Sequence, residues 1–169
     1  VCSSDLECPA GRFGSEVGLE DAACSGECTR GSYCGNGTSE PYACPLGRFG
    51  HASGLKSTIE CDACPPGFFC PTGATAPVSC APGSVAPNAS MGSCTRCARG
   101  SYQASEGATA CSVCPESKWC GAGSSAPTPC DEGTIGNATG LGNKDEGLSC
   151  SKGSWCTAGK AIPCGPDTF

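Results

Sequence analysis

The chain carries 19 cysteines, and six of them form three CxxC pairs, Cys61/Cys64, Cys94/Cys97 and Cys111/Cys114. That spacing suits two chemistries, tetrahedral zinc ligation and dithiol exchange. Against zinc, the cysteines between the pairs sit at the spacings of disulfide modules, and the one histidine, His51, falls at a position that varies between repeats. Dithiol exchange needs a strand-to-helix context that activates the attacking thiol, and the sequence supplies none. One histidine with scattered acidic residues does not assemble a general base beside a nucleophile, and no GxSxG, phosphate-loop or metalloprotease motif is present. The sequence therefore predicts no enzyme, no cofactor and no metal site. What remains is cross-linking by disulfides, together with N-glycosylation at the sequons Asn36-Gly37-Thr38, Asn88-Ala89-Ser90 and Asn137-Ala138-Thr139, all in small-residue stretches between cysteines.

The elements that position these residues must be built without a conventional core. Cys, Gly (26) and Pro (14) fill about a third of the 169 residues, while Leu, Ile, Val and Phe together number 19. So little large apolar surface would ordinarily leave a chain disordered. Covalent cross-links remove entropy from the unfolded state instead, and this cysteine density marks a secreted, disulfide-dependent protein. The net charge of −6, with no cluster of Lys or Arg, argues against nucleic acid and against anionic membrane surfaces. No stretch approaches the ~20 apolar residues of a membrane span. Val1 is not an initiator Met, so a processed product or segment is expected, with any signal peptide or anchor outside it.

Internal repetition is the strongest pattern. Cys8 to Cys44 is 36 residues and Cys44 to Cys80 is 36 again, with Cys8, Cys24, Cys28, Cys34 in the first unit and Cys44, Cys61, Cys64, Cys70 in the second. The third is longer and reads Cys80, Cys94, Cys97, Cys111, Cys114, Cys120. The last reads Cys130, Cys150, Cys156, Cys164 and lacks the cysteine that the others have second. The expected organisation is an incomplete leading module at 1–7, repeats at 8–43, 44–79, 80–129 and 130–163, and the start of a further module at 164–169.

Two motifs recur. Cys-x-x-Gly-x-bulky opens at Cys8, Cys28, Cys44, Cys64, Cys80, Cys97, Cys130 and Cys150; Ser117 replaces the Gly after Cys114, and Asp167 replaces it after Cys164, where Phe169 keeps the bulky position. Cys-x-x-Gly with Pro seven residues after the cysteine recurs at Cys34, Cys70, Cys120 and Cys156. Gly lets the chain turn with φ > 0 just past a half-cystine, and the bulky residue is expected to fold over that disulfide as a miniature core. A ligand-binding role for these aromatics is the functional alternative. Pro suits an extended connector. The fold class expected is small and disulfide-rich: tandem cysteine-rich modules with short β-ribbons and turns, almost no helix, stacked as an elongated rod. Sequential pairing (8 with 24, 28 with 34, 44 with 61, 64 with 70) and interleaved pairing (8 with 28, 24 with 34, 44 with 64, 61 with 70) both fit the spacing. Cys97 and Cys111 have no fourth-cysteine equivalent, Gln103 standing in its place, which favours the sequential scheme. Eighteen cysteines can pair and nineteen cannot, so the odd thiol is expected at Cys2 or among Cys130, Cys156 and Cys164.

The runs CPPGFFCPTGATAPVSCAPGSV (Cys64 to Val85) and CARGSYQASEGATACSVC (Cys97 to Cys114) resemble the ephrin-receptor-like cysteine-rich repeat, a relative of tumour-necrosis-factor-receptor-like and EGF-like disulfide modules. The resemblance covers about residues 8–164. It implies a coreless extracellular fold, found in tandem arrays in receptors and in surface proteins of single-celled eukaryotes, and it implies no activity. The missing cysteine before Cys150 departs from the pattern and leaves the pairing of Cys130, Cys150, Cys156 and Cys164 open. The functional expectation is a non-enzymatic extracellular structural glycoprotein that assembles head-to-tail with itself into a filament, appendage or surface coat through its open ends. The alternative is a ligand-binding or adhesive ectodomain segment of a cell-surface receptor, with other extracellular glycoproteins as partners.

Overall fold

A computed structural model of the chain describes residues 8–14, 24–152, 154–157 and 159–165. Cys2, Asp167 and Phe169 lie outside the described residues. Two compact units are present, Val1–Ser79 with Asn88–Ser93, and Cys80–Pro87 with Cys94–Phe169.

In both units the building element is a coil that starts at a Cys-x-x-Gly cysteine, or at Cys114 with Ser117 in the Gly position, and runs to the next. Coils 1 to 4 open at Cys8, Cys28, Cys44 and Cys64, and coils 5 to 9 at Cys80, Cys97, Cys114, Cys130 and Cys150. Each 36-residue sequence repeat thus holds two coils. Coil 2 shows the local logic. Gly31 reverses the chain at φ +82, Ser32 N–H donates to the Thr29 carbonyl at 3.1 Å, and Ser32–Tyr33 then runs antiparallel to Tyr42–Ala43. The described residues contain nine such two-stranded ribbons and two short 3-10 turns, Thr58–Glu60 and Lys144–Glu146, with no α-helix.

Ribbons of two residues cannot stand alone in water, so each coil must lean on another. Successive coils are joined by a backbone ladder. In the first unit Gly11 and Gly14 of coil 1 donate to the Cys34 and Thr38 carbonyls of coil 2, Gly31 and Cys34 of coil 2 donate to Gly50 and Leu55 of coil 3, and Gly47 and Gly50 of coil 3 donate to Cys70 and Ala74 of coil 4. The return bonds run from Gly37 to Cys8, from Gly54 to Cys28 and from Gly73 to Cys44. The second unit repeats the scheme by itself, for example Gly100 to Cys120, Gln103 to Ser124 and, returning, Gly123 to Cys97. Backbone groups that a sheet would pair laterally are therefore satisfied from coil to coil, at about 1 kcal/mol net for each bond.

One disulfide staples each of eight coils. Long staples join Cys8 to Cys24, Cys44 to Cys61, Cys80 to Cys94 and Cys97 to Cys111; short ones join Cys28 to Cys34, Cys64 to Cys70, Cys114 to Cys120 and Cys150 to Cys156. These bridges are the core, since almost every fully buried side chain is a half-cystine. The bulky residue of the motif packs differently from the sequence expectation. Tyr33 of coil 2 lies against Cys44, Leu55 and Cys61 of coil 3, and Phe49 of coil 3 lies against Cys64, Cys70 and Ala74 of coil 4. The contact seen for these two is with the next coil's staple because the ladder carries the outgoing strand onto that coil.

Close stacking also explains the first glycine of the motif in coils 1, 2, 3, 5 and 6. A Cβ on Gly31 would fall well inside van der Waals contact of the Gly73 carbonyl oxygen in coil 4, on top of the left-handed backbone. Gly31→Ala is expected to cost more than about 2 kcal/mol, the left-handed penalty plus a backbone displacement. A shift in the denaturant midpoint of that variant measures it, and a midpoint within error of the parent's would show that the coils can separate without loss.

Candidate interaction surface

The ribbons place residues in fixed cross-strand pairs. The bulky residue five after each opening cysteine faces the residue two before the next one: Tyr33 faces Tyr42 and Phe69 faces Val78 in the first unit, and Ile135 faces Leu148 and Trp155 faces Ile162 in the second. Tyr33 and Tyr42 stack with ring centroids 5.7 Å apart. In the first three of these pairs the inner member is partly covered, whereas the return strand is open. Tyr42, Val78, Leu148 and Ile162 are all exposed, and so is Trp155, at 53%. These edges offer contact area for a partner's apolar or aromatic groups, the kind of surface that anchors protein recognition.

Leu46, Ile59 and Val113 are exposed as well, among scattered polar groups. His51 Nδ1 sits 2.6 Å from Asp62 Oδ2, both exposed, and Arg12 approaches Glu27 at 4.0 Å. A groove in the second unit is lined by Pro115, Glu116, Ser117, Lys118, Pro129 and Lys160. Among the described residues no three His, Cys, Asp or Glu side chains converge as metal ligands would. The two cysteines of each CxxC pair belong to different staples: Cys61 to Cys44 and Cys64 to Cys70, Cys94 to Cys80 and Cys97 to Cys111, Cys111 to Cys97 and Cys114 to Cys120.

Cys130 and Cys164, whose pairing the sequence left open between a bridge and the odd thiol, carry no disulfide in the structure. Their reasons differ. Cys130 opens a coil of the long-staple kind, and coil 8 copies coil 3 closely: Leu141 for Leu55, the turn Lys144–Glu146 for Thr58–Glu60, and Gly142 N–H on Glu146 Oε2 for Lys56 N–H on Glu60 Oε2, both at 2.7 Å. Gly147 stands where Cys61 stands, at the C-cap of that turn, so Cys130 has lost its partner. Cys164 opens a tenth coil, of which only Gly165 follows among the described residues. Cys156, a candidate for the odd thiol, is bridged to Cys150.

The two thiols differ in environment. Cys130 is buried and Cys164 is exposed. Burial, and then the negative charge of Asp131, push the Cys130 thiol above its ordinary pKa, so less thiolate is present at any given pH. At neutral pH without denaturant, iodoacetamide should label Cys164 and spare Cys130, and the labelling of Cys130 should rise with alkali or on unfolding. Equal rates for the two thiols would contradict the buried position.

The sequon residues occupy one corner of the coil, seven or eight residues past the opening cysteine: Asn36 in coil 2, Asn88 in coil 5 and Asn137 in coil 8. All three asparagines are exposed. Sequence reasoning missed that this corner ends in a left-handed residue of its own, Gly37, Ser90 or Gly140, whose N–H donates back to the preceding coil at Cys8, Cys64 or Cys114. The signal was present as Gly54, Gly107 and Gly140, each ten residues after an opening cysteine and outside the Pro motif.

Residues 83–126 match the family described as tyrosine-protein kinase ephrin type A/B receptor-like. This segment is similar to the ephrin-receptor-like cysteine-rich module. It runs from coil 5 into coil 7 and contains the staples Cys97–Cys111 and Cys114–Cys120. The coils on either side repeat its motif and its ladder, and all of them except coil 8 carry a staple. No curated protein matches the chain. A receptor-type ectodomain module with dense disulfides points to an extracellular setting, and no helix among the described residues is long and apolar enough to cross a membrane.

Proposed function

We propose that the chain is a non-catalytic segment of an extracellular, receptor-type ectodomain, folded in the secretory pathway, whose stapled coils hold short ribbons in place and present their return strands to other extracellular glycoproteins. The observation that carries this reading is the ephrin-receptor-like match at 83–126, inside an array whose other coils share its ladder. The exposed pairs at Tyr42, Val78, Leu148 and Trp155 supply the contact edge. The match lends no support to a polymerising rod.

Expression of the chain behind a signal sequence in a eukaryotic host tests the reading in two steps. Recovery from the medium with gel mobility that shifts on reduction supports a secretory origin, whereas intracellular accumulation as a reduced, soluble, folded species overturns it. Sedimentation of the secreted chain then separates the two functions: one species near monomer mass supports the ectodomain, and concentration-dependent growth into large assemblies restores the filament.

A further inference from the structure

The three sequons are equivalent by sequence, and the fold makes them unequal. Transfer of a glycan requires the enzyme to reach both the asparagine amide nitrogen and the hydroxyl two residues on, which is what the sequon pattern encodes. At Asn88 and Asn137 the hydroxyl residues, Ser90 and Thr139, are exposed beside exposed asparagines. At Asn36 the hydroxyl residue is Thr38, 5% exposed, and its Oγ1 donates to the Gly35 carbonyl at 2.9 Å. The Thr38 carbonyl is taken by Gly14 N–H of coil 1, and Asn36 Oδ1 accepts Ala10 N–H of the same coil at 2.9 Å. Asn36 and Thr38 are therefore part of the seam between coils 1 and 2. An amide uses Oδ1 for that hydrogen bond and Nδ2 for the sugar bond, so a glycan at Asn36 is compatible with the finished seam although the acceptor hydroxyl is no longer within reach.

We infer that the corner seven or eight residues past the opening cysteine carries the N-glycan site in each of coils 2, 5 and 8, with Asn88 and Asn137 open to modification in the folded chain and Asn36 open only before coil 2 docks on coil 1. In the transfer itself, the Asn Nδ2 bonds to the anomeric carbon of a lipid-diphosphate-linked oligosaccharide, the lipid diphosphate leaves, and one Nδ2 proton is lost. The inference rests on the secretory origin proposed above.

Two measurements test it. The first is site occupancy by mass spectrometry, after enzymatic deglycosylation, of the chain secreted from a eukaryotic host. Glycan at Asn88 and Asn137 is expected, and a secreted, disulfide-bonded chain bare at both would overturn this inference while leaving the ectodomain reading intact. Failure to be secreted or oxidised, with all sites bare, would sink both. The second offers the unglycosylated chain, either oxidised or reduced and unfolded, to an oligosaccharyltransferase with lipid-linked oligosaccharide in vitro. Asn36 occupancy should be several-fold higher in the reduced chain, while Asn88 and Asn137 should differ little between the two forms. Equal modification of Asn36 in both would overturn the seam argument. Asn36→Asp, which retains Oδ1 and loses the sugar site, should keep the denaturant midpoint of the unglycosylated parent, and Asn36→Ala should lower it.

Discussion

Full reduction in native buffer is expected to abolish the fold of both units, with loss of protease resistance across the described residues. The four long staples each restrict an unfolded loop by about 3 kcal/mol and the four short ones by about 2 kcal/mol, on the order of 20 kcal/mol together. A domain's whole net stability is typically about 5–15 kcal/mol. What would remain is a ladder of backbone bonds worth about 1 kcal/mol each and small clusters around Leu55 and Phe49, set against ordering entropy of about 1–2 kcal/mol for every residue. Limited proteolysis before and after reduction, followed by mass spectrometry, reads the result. Resistance that survives complete reduction would mean that the ladder alone can hold the coils.

Gly147→Cys is expected to stabilise the second unit by about 3 kcal/mol through a new bridge to Cys130, closing a 17-residue loop of the same length as Cys44–Cys61. The geometry is prepared for it. Gly147 has φ −67, open to any residue, and a Cβ there would meet nothing nearer than ordinary contact, the closest atom being the Ile135 carbonyl oxygen at 3.4 Å. Strand register agrees as well: Thr134 faces Ser149 and Ile135 faces Leu148, as Arg48 faces Ala63 and Phe49 faces Asp62. Loss of the Cys130 thiol on mass mapping, with a higher denaturant midpoint, is the expected outcome. An introduced thiol that stays free, or that bridges Cys164 instead, would contradict the equivalence of coils 3 and 8.

The cysteine spacing narrows the staples to two schemes and favours the sequential one that the structure shows, and it also reveals the gap before Cys150, because cross-link chemistry leaves a one-dimensional trace. Two things are not. The ladder uses main-chain groups that every residue carries, so Gly31 donating to Gly50 leaves no mark except the glycine itself, which also fits a simple turn. The unequal sequons are hidden for a related reason, since Thr38 and Thr139 are the same residue type and differ only in which coil lies behind them. The bulky position reads as structural from its recurrence, but its contact partner does not follow: packing of Tyr33 on the next coil's bridge depends on how coils stack, which periodicity along one coil does not encode.

Within each unit most bonds between coils run from main chain to main chain, with one disulfide in nearly every coil. The side chains between the fixed cysteines and glycines are consequently released from specifying the fold, and what a coil displays can change without renegotiating how it is held. A gene encoding such an array can gain a coil by duplicating a stretch of about 14 to 20 codons, the spacing between successive opening cysteines, and then let the copy drift outward from its frame. Coil 8 carries the record of that freedom, having kept the turn, the leucine and the glycines of coil 3 while letting half of its bridge go.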